Sequence, residues 1–272
     1  MNRLREKFAK LKSSEDKALI FYLMAGDPDI PTTLDIIKAL DESGVDAIEL
    51  GIPFSDPMAD GPSIQAAAHR ALGKGMTVRK CLDLVRSVRE FSSIPIVLMT
   101  YFNPILHYGI DRFAKDAVSA GADATILTDL SPEEATEWVS ASKRNDLGTV
   151  FLVAPTSTDA RIQKAGEIST GFVYCVSRTG VTGAQSDTPA DLPTLVNRVK
   201  SMVGAPVCVG FGISEPRHVE EITRYADGAV VGSALVNLIT KHQGSEKLIG
   251  EVKKYALAMK IATRHTEKPP RT

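Results

Sequence analysis

Eight short runs rich in β-branched residues alternate with longer stretches of helical period, and this alternation constrains the fold more than any other feature of the chain. The runs cover 18–24, 47–51, 95–100, 124–127, 149–153, 172–176, 206–209 and 228–231. Strands joined through helices return in the same direction and form a parallel sheet covered by those helices. Eight is the number that closes into a barrel whose own side chains fill its interior. The 272 residues divide into units of about 34, room for one strand, one helix and two loops. A weak echo marks the repeat: Gly44-Val45-Asp46-Ala47, Gly121-Ala122-Asp123-Ala124 and Ala226-Asp227-Gly228-Ala229 each precede a strand, with glycine read as a helix C-cap. The predicted fold is α/β, an eight-stranded parallel (β/α)8 TIM barrel, with an extra N-terminal helix over 4–11 across its amino end. An open doubly wound sheet shares the alternation, but the even spacing and the lack of an early GxGxxG count against it. Ser131-Pro132-Glu133-Glu134 reads as a helix start, with Ser131 the cap, Pro132 first in the helix and Glu134 closing a capping box.

The 43% apolar content suits one large core, so residues 1–265 are expected to form a single domain, with 266–272 a disordered tail. Thirty-two basic against 33 acidic residues leave a net charge of -1, and no basic tract stands ready for nucleic acid. The amino end lacks a secretory apolar core and no stretch reaches membrane-spanning length, so a cytoplasmic protein is expected. Cys81, Cys175 and Cys208 form no CxxC pair, and the last two lie in β-branched runs, as buried thiols do. His69, His107, His218, His242 and His265 show no metal-ligand spacing and read as surface or packing residues.

Glycines gather behind the last strands. Gly210-Phe211-Gly212-Ile213-Ser214 follows the seventh, Gly232-Ser233 follows the eighth just before a helical stretch, and Ser177-Arg178-Thr179-Gly180-Val181-Thr182-Gly183-Ala184 follows the sixth. Any one of these could be a plain turn. Three on consecutive loops of one rim, one of them opening a helix with unpaired N–H groups, predict a phosphate-bearing ligand.

Glu49 is the single charge in an apolar strand. Both faces of a parallel barrel strand are covered, so it meets either a buried cation or the barrel mouth. Eleven residues on, Asp60 ends a loop that can fold back over that mouth. Two carboxylates in different surroundings can divide proton transfer from charge stabilisation. Asp56, in a Ser-Asp-Pro turn, is expected to cap local backbone.

The stretch Ile48-Glu49-Leu50-Gly51-Ile52-Pro53-Phe54-Ser55-Asp56-Pro57-Met58-Ala59-Asp60-Gly61-Pro62 closely resembles the signature of the tryptophan synthase alpha subunits. The likeness extends to Gly26-Asp27-Pro28, Tyr101-Phe102-Asn103-Pro104, and the glycine loops after strands six and seven, and it runs essentially end to end. It implies a barrel that cleaves 1-(indol-3-yl)glycerol 3-phosphate to indole and glyceraldehyde 3-phosphate without metal or organic cofactor. It also implies an α2β2 complex with a pyridoxal-phosphate beta subunit that receives the indole. By residue match, Glu49 is the general acid and base and Asp60 holds the indole nitrogen. Tyr174 supports the site, Tyr22, Met99, Thr182 and Phe211 wall the indole, and Gly183, Gly212, Gly232 and Ser233 receive the phosphate. Pro53, Asp56, Pro57, Asn103 and Pro104 would face the beta subunit, with Phe54 and Met58 extending the apolar patch. Two places depart from the family pattern: Ser131 precedes Pro132 after Asp129-Leu130, and Tyr22 stands where many members have Phe. Other phosphosugar barrels share the glycine loops but not the string from Glu49 to Asp60. A catalytically silent barrel that only activates a partner would not need both acids.

Overall fold

Every predicted strand run forms a strand, and the eighth returns to pair with the first. The computed structural model describes residues 2–176, 191–210 and 212–264. Its strands are β1 (Ala18–Met24), β2 (Ala47–Gly51), β3 (Ile96–Thr100), β4 (Ala124–Leu127), β5 (Gly148–Val153), β6 (Val173–Val176), β7 (Val207–Gly210) and β8 (Gly228–Val231), all parallel and in chain order around a closed barrel. β3 and β7 begin one residue later than expected because Pro95 and Pro206 have no N–H for the ladder. Their carbonyls still accept from Ile48 and Val173, each at 2.8 Å. The other shifts are one-residue changes at β5, β6 and the end of β7.

Helices α1 (Arg3–Ser13), α2 (Ile30–Glu42), α3 (Pro62–Gly73), α4 (Val78–Arg89), α5 (Phe102–Tyr108), α6 (Ile110–Ala120), α7 (Thr136–Arg144), α8 (Asp159–Ile168), α9 (Leu192–Met202), α10 (Pro216–Thr223), α11 (Ser233–His242) and α12 (Leu248–Ile261) surround the barrel. One helix per unit is therefore corrected: β2, β3 and β8 are each followed by two. Gly75 (φ +73°) and Gly109 (φ +98°) take the left-handed turns that divide α3 from α4 and α5 from α6, and Thr77 caps α4.

Period two sorts the strand residues into two cores. Ile20, Ala47, Val97, Ile126, Phe172, Cys208 and Val230 form the interior, joined by Leu4, Phe8 and Leu11 of α1. Leu19, Phe21, Ile48, Leu98, Val173 and Val209 face the outer helices. The expected helix thus closes the amino end, with the Phe8 ring packed at a tilt against Phe172, centroids 5.7 Å apart. Two residues further along the interior rows, at the carboxyl ends, stand Tyr22, Glu49, Met99 and Tyr174.

The echoed tripeptides serve a purpose that their spacing did not reveal. Asp46, Asp123 and Asp227 accept from the N–H of Leu19, Ile96 and Val207 at 2.8, 2.9 and 2.9 Å, so each immediately precedes its own strand while capping the strand before it. Each carboxylate also meets a cation: Lys260 on Asp46, Arg89 on Asp123 and Lys200 on Asp227. Gly121 takes positive φ as the C-cap of α6, and Gly44 takes it one residue past Ser43, the C-cap of α2. Gly228 does not: a Cβ there would lie 2.8 Å from the Ala18 Cβ and the Cys208 Sγ, so close strand packing demands that glycine. The helix start at Ser131 is also corrected. The Ser131 hydroxyl donates to the Glu134 carboxylate at 3.0 Å instead of accepting from backbone, so a turn intervenes and α7 begins at Thr136. Cys81, Cys175 and Cys208 are buried and free, and burial pushes the Cys175 thiol up to about 12.

Candidate active site

Strand β2 lifts Glu49 into the mouth between Tyr22 of β1 and Val97 of β3, its register partners. The residue is only 2% exposed, and its Oε2 has no hydrogen-bond partner among the described residues. No cation among the described residues pairs with it to offset the cost of its charge. Burial first, and the charge of Asp60 second, push the carboxyl up from its ordinary 4.5 to about 8.

Asp60 arrives at the end of the loop leaving β2, and Tyr101 holds it there. The Tyr101 hydroxyl accepts from the Ala59 N–H at 2.9 Å and donates to the Asp60 carboxylate, while its ring packs 5.3 Å from Phe54. Gln65 on α3 donates to the Asp60 carbonyl at 2.8 Å. Burial raises Asp60 from 3.8 to about 6, against the Tyr101 hydrogen bond, which lowers it. Of the two acids, Glu49 therefore holds its proton to the higher pH and Asp60 ionises first. Tyr101 was not among the predicted site residues, although two steps along the inward row Val97, Met99 would have reached it.

Tyr22 and Tyr174 flank Glu49, and two glycines make room for them. A Cβ at Gly51 would lie 2.4 Å from the Tyr22 hydroxyl, and one at Gly210 would lie 1.9 Å from that of Tyr174. Burial raises both phenols, followed by the charges of Asp60 and Glu49 at Tyr22 and of Glu49 at Tyr174. Met99 completes this wall as a half-buried side chain. Asp27 forms a two-point pair with Arg70, 2.7 and 2.8 Å, and Arg70 also donates to Thr240 at 3.0 Å, tying the loop after β1 to α3 and α11. The Asp129 carboxylate accepts from the Phe102 N–H at 2.7 Å, so the altered turn at Ser131 leaves its partner in place.

On the adjoining rim, Gly212 adopts φ +69°, and the N–H groups of Gly212 and Ile213 donate to no partner among the described residues. Gly232 opens α11 without a side-chain cap, and its carbonyl serves Leu235 and Val236, leaving the Ser233 and Ala234 N–H groups outside the helix ladder. Four backbone donors thus follow the neighbouring strands β7 and β8. Thr182, Gly183 and Phe211, with the loop after β6, lie outside the described residues, as do His265 and the tail.

The loop surface is less apolar than its composition suggested. Pro53 and Pro57 are buried, Phe54 is half-covered by Tyr101, and Met58 alone of the four stands out, 87% exposed. The prolines pack inward because they shape the path that returns Asp60 to the mouth. Asp56 and Asn103 are exposed and Pro104 is half-exposed. The Asp56 carboxylate accepts from the Ser55 hydroxyl rather than from backbone, correcting its expected capping role.

A cavity of about 950 Å3 opens at the opposite, amino end beside Phe8, Lys12 and Thr170, and its lysines 17 and 200 are paired with Asp227. Among the described residues no cluster of three or more His, Cys, Asp or Glu could hold a metal ion, and no helix is long and apolar enough to cross a membrane.

The family model described as tryptophan synthase alpha chain matches residues 8–264. The tryptophan synthase alpha chain of Citrifermentans bemidjiense is 50% identical over 91% of this chain and 93% of its own, and that of Geotalea uraniireducens is 49% identical over 90% and 92%. Among solved structures, tryptophan synthase from Mycobacterium tuberculosis superposes with a TM-score of 0.88 at 40% identity, covering 97% of this chain and 99% of that one. Subunit alpha from Legionella pneumophila gives 0.87 at 36%, covering 97% and 98%. With the closed barrel, the buried Glu49 and the returning Asp60 all in the same chain, the protein belongs to the tryptophan synthase alpha chain family.

Proposed function

We propose that this chain cleaves 1-(indol-3-yl)glycerol 3-phosphate to indole and glyceraldehyde 3-phosphate by a retro-aldol step. The observation that carries this reading is the pairing of a buried Glu49 carboxyl, its Oε2 without a partner among the described residues, with a more acidic Asp60 at the same mouth. The bond to be broken joins indole C3 to a carbon bearing a hydroxyl. Protonated Glu49 gives its proton to C3, and the resulting cation at the ring nitrogen is stabilised by ionised Asp60. Glu49, now a carboxylate, takes the hydroxyl proton; the carbonyl forms, the carbon–carbon bond breaks, and its electron pair restores the indole ring. Glu49 ends protonated, ready for the next turnover. Tyr22, Met99, Thr182 and Phe211 wall the indole, Tyr174 supports Glu49, and Gly183, Gly212, Gly232 and Ser233 receive the phosphate.

Indoleglycerol phosphate supplied to the purified chain, alone and with a beta subunit, should yield indole; no indole under either condition would refute the assignment. The acid–base reading also sets a pH profile. Below about 6 Asp60 gains a proton, and above about 8 Glu49 loses the one it must donate. The kcat/KM of the isolated chain should therefore be highest between these values and fall on both sides. Residual activity of Asp60→Asn should lose the acid limb; a limb still centred near 6 in that variant would assign it to another group.

The chain works as one domain over residues 1–265, in the cytoplasm, with no cofactor of its own, in an α2β2 assembly whose beta subunit carries pyridoxal phosphate. The docking rim comprises Asp56, Asn103 and Pro104, with Pro53 and Pro57 buried beneath it as the supports of the loop. Exposed Met58 and Asp56 lie on the same loop as Asp60, which supports a link between docking and catalysis. Asp56→Ala is expected to blunt stimulation of indole release by a beta subunit while sparing most of the basal rate. Unchanged stimulation would remove Asp56 from the interface.

A further inference from the structure

Ser214, two residues beyond Gly212, has both of its backbone polar groups held by side chains from outer helices. Its N–H donates to Nδ1 of His218 on α10 at 3.3 Å, and its carbonyl accepts from the hydroxyl of Tyr255 on α12 at 2.9 Å. Between Gly212 and this clamp, Ile213 is buried at 4% exposure. The loop after β7 is therefore pinned immediately downstream of the Gly212 and Ile213 N–H groups, which remain free of partners among the described residues.

Each clamping side chain is itself fixed. His218 is 4% exposed; its Nδ1 accepts from Ser214, and its Nε2 has no partner among the described residues. A buried ring nitrogen left unmatched is a cost that the bond to Ser214 offsets only if this one orientation is kept. Tyr255 packs edge-on against Phe21 of β1, centroids 5.8 Å apart, so packing sets the ring and the hydroxyl reaches Ser214 with little freedom.

We infer that His218 and Tyr255 are positioning residues that hold the β7 loop in the shape that presents the Gly212 and Ile213 N–H groups to the substrate's phosphate. The inference rests on the proposed phosphate role of that loop. Neither side chain contacts substrate; both act through Ser214, by sparing the loop the entropy of ordering at each binding event. Their loss should weaken phosphate-bearing ligands and leave the carbon–carbon cleavage step alone.

The test uses sn-glycerol 3-phosphate as a competitive probe of indole release in the full chain, beside direct titration with indole. Tyr255→Phe and His218→Leu are each expected to raise KM for indoleglycerol phosphate and Ki for the probe by about 3–10-fold, the scale of one lost hydrogen bond. Turnover should stay within about 2-fold and indole affinity should not change. His218→Asn keeps an acceptor at the Nδ1 position and should restore KM. A fall in kcat at constant KM, equal weakening of indole and probe, or failure of Asn to improve on Leu would overturn the clamp. Gly212→Val separates the two layers of the argument. If it leaves Ki for the probe unchanged, the phosphate reading fails; if it weakens the probe while Tyr255→Phe and His218→Leu do not, only the clamp fails. Should His218→Leu not fold, Tyr255→Phe alone decides, since it removes one hydroxyl and keeps the ring.

Discussion

Glu49→Gln is expected to lower kcat at least ~100-fold with little change in KM, because the lost proton transfer matters only as the bond breaks. Gln preserves the shape of the buried side chain but can neither donate to C3 nor accept the hydroxyl proton. The same variant should be more stable than the parent, which separates lost chemistry from lost folding. The folded carboxyl titrates near 8 and its ordinary value is 4.5, so between these values the folded state binds more protons than the unfolded state. Stability contributed by this group is thus present below about 4.5 and is lost as pH rises toward about 8. The advantage of Gln should grow over that window and level off above it. Steady-state indole release and urea melts at several pH values check both halves. A raised KM with unchanged kcat would assign Glu49 to substrate binding, and a destabilised variant would show that its carboxyl has a partner in the folded chain.

Asp123→Ala should be among the most destabilising single substitutions outside the site, costing ~3–5 kcal/mol, the usual scale for breaking a buried ion pair from one side. The side chain is 2% exposed and satisfies the Ile96 N–H at 2.9 Å, Arg89 at 3.0 Å and Arg3 at 3.1 Å. Removing it leaves the first N–H of β3 unmatched and strips a largely buried guanidinium of its carboxylate, with only the carbonyls of Gly121, Ser92 and Ile94 still accepting from it. A loss of that size is a large share of the ~5–15 kcal/mol that holds a domain folded. Asp227 makes the equivalent bond to Val207, but its side chain is 30% exposed, so water can replace it. Asp227→Ala should therefore cost clearly less. Denaturant midpoints at unchanged slope measure both, and equal losses would show that burial does not set the scale.

The prediction at Asp123 also shows where linear reading stopped. Three Asp residues before three strands were visible as a repeat, but their N–H partners lie 20–27 residues away on the preceding strand and are set by barrel register. Ser131-Pro132-Glu133-Glu134 carried every mark of a capping box, yet the serine hydroxyl reached the carboxylate first and displaced the helix start. Pro53 and Pro57 looked like a docking surface because sequence reports apolarity and not direction. Glu49 was legible because a charge in a fully covered strand has few explanations, and the glycines because backbone that must turn or approach closely announces itself.

Local patterns were enough for the eight alternating units, the amino-end helix and the acid pair at β2, because propensity, period and the cost of burying charge act over a few neighbouring residues. Only closure of the barrel decided which distant side chains met there: Tyr101 on Asp60, Arg70 on Asp27, and His218 with Tyr255 on Ser214. The elevated Glu49 pKa has the same origin, since it depends on which neighbours exclude water and which partner is missing. Those are properties of packing, and no run of adjacent residues contains them.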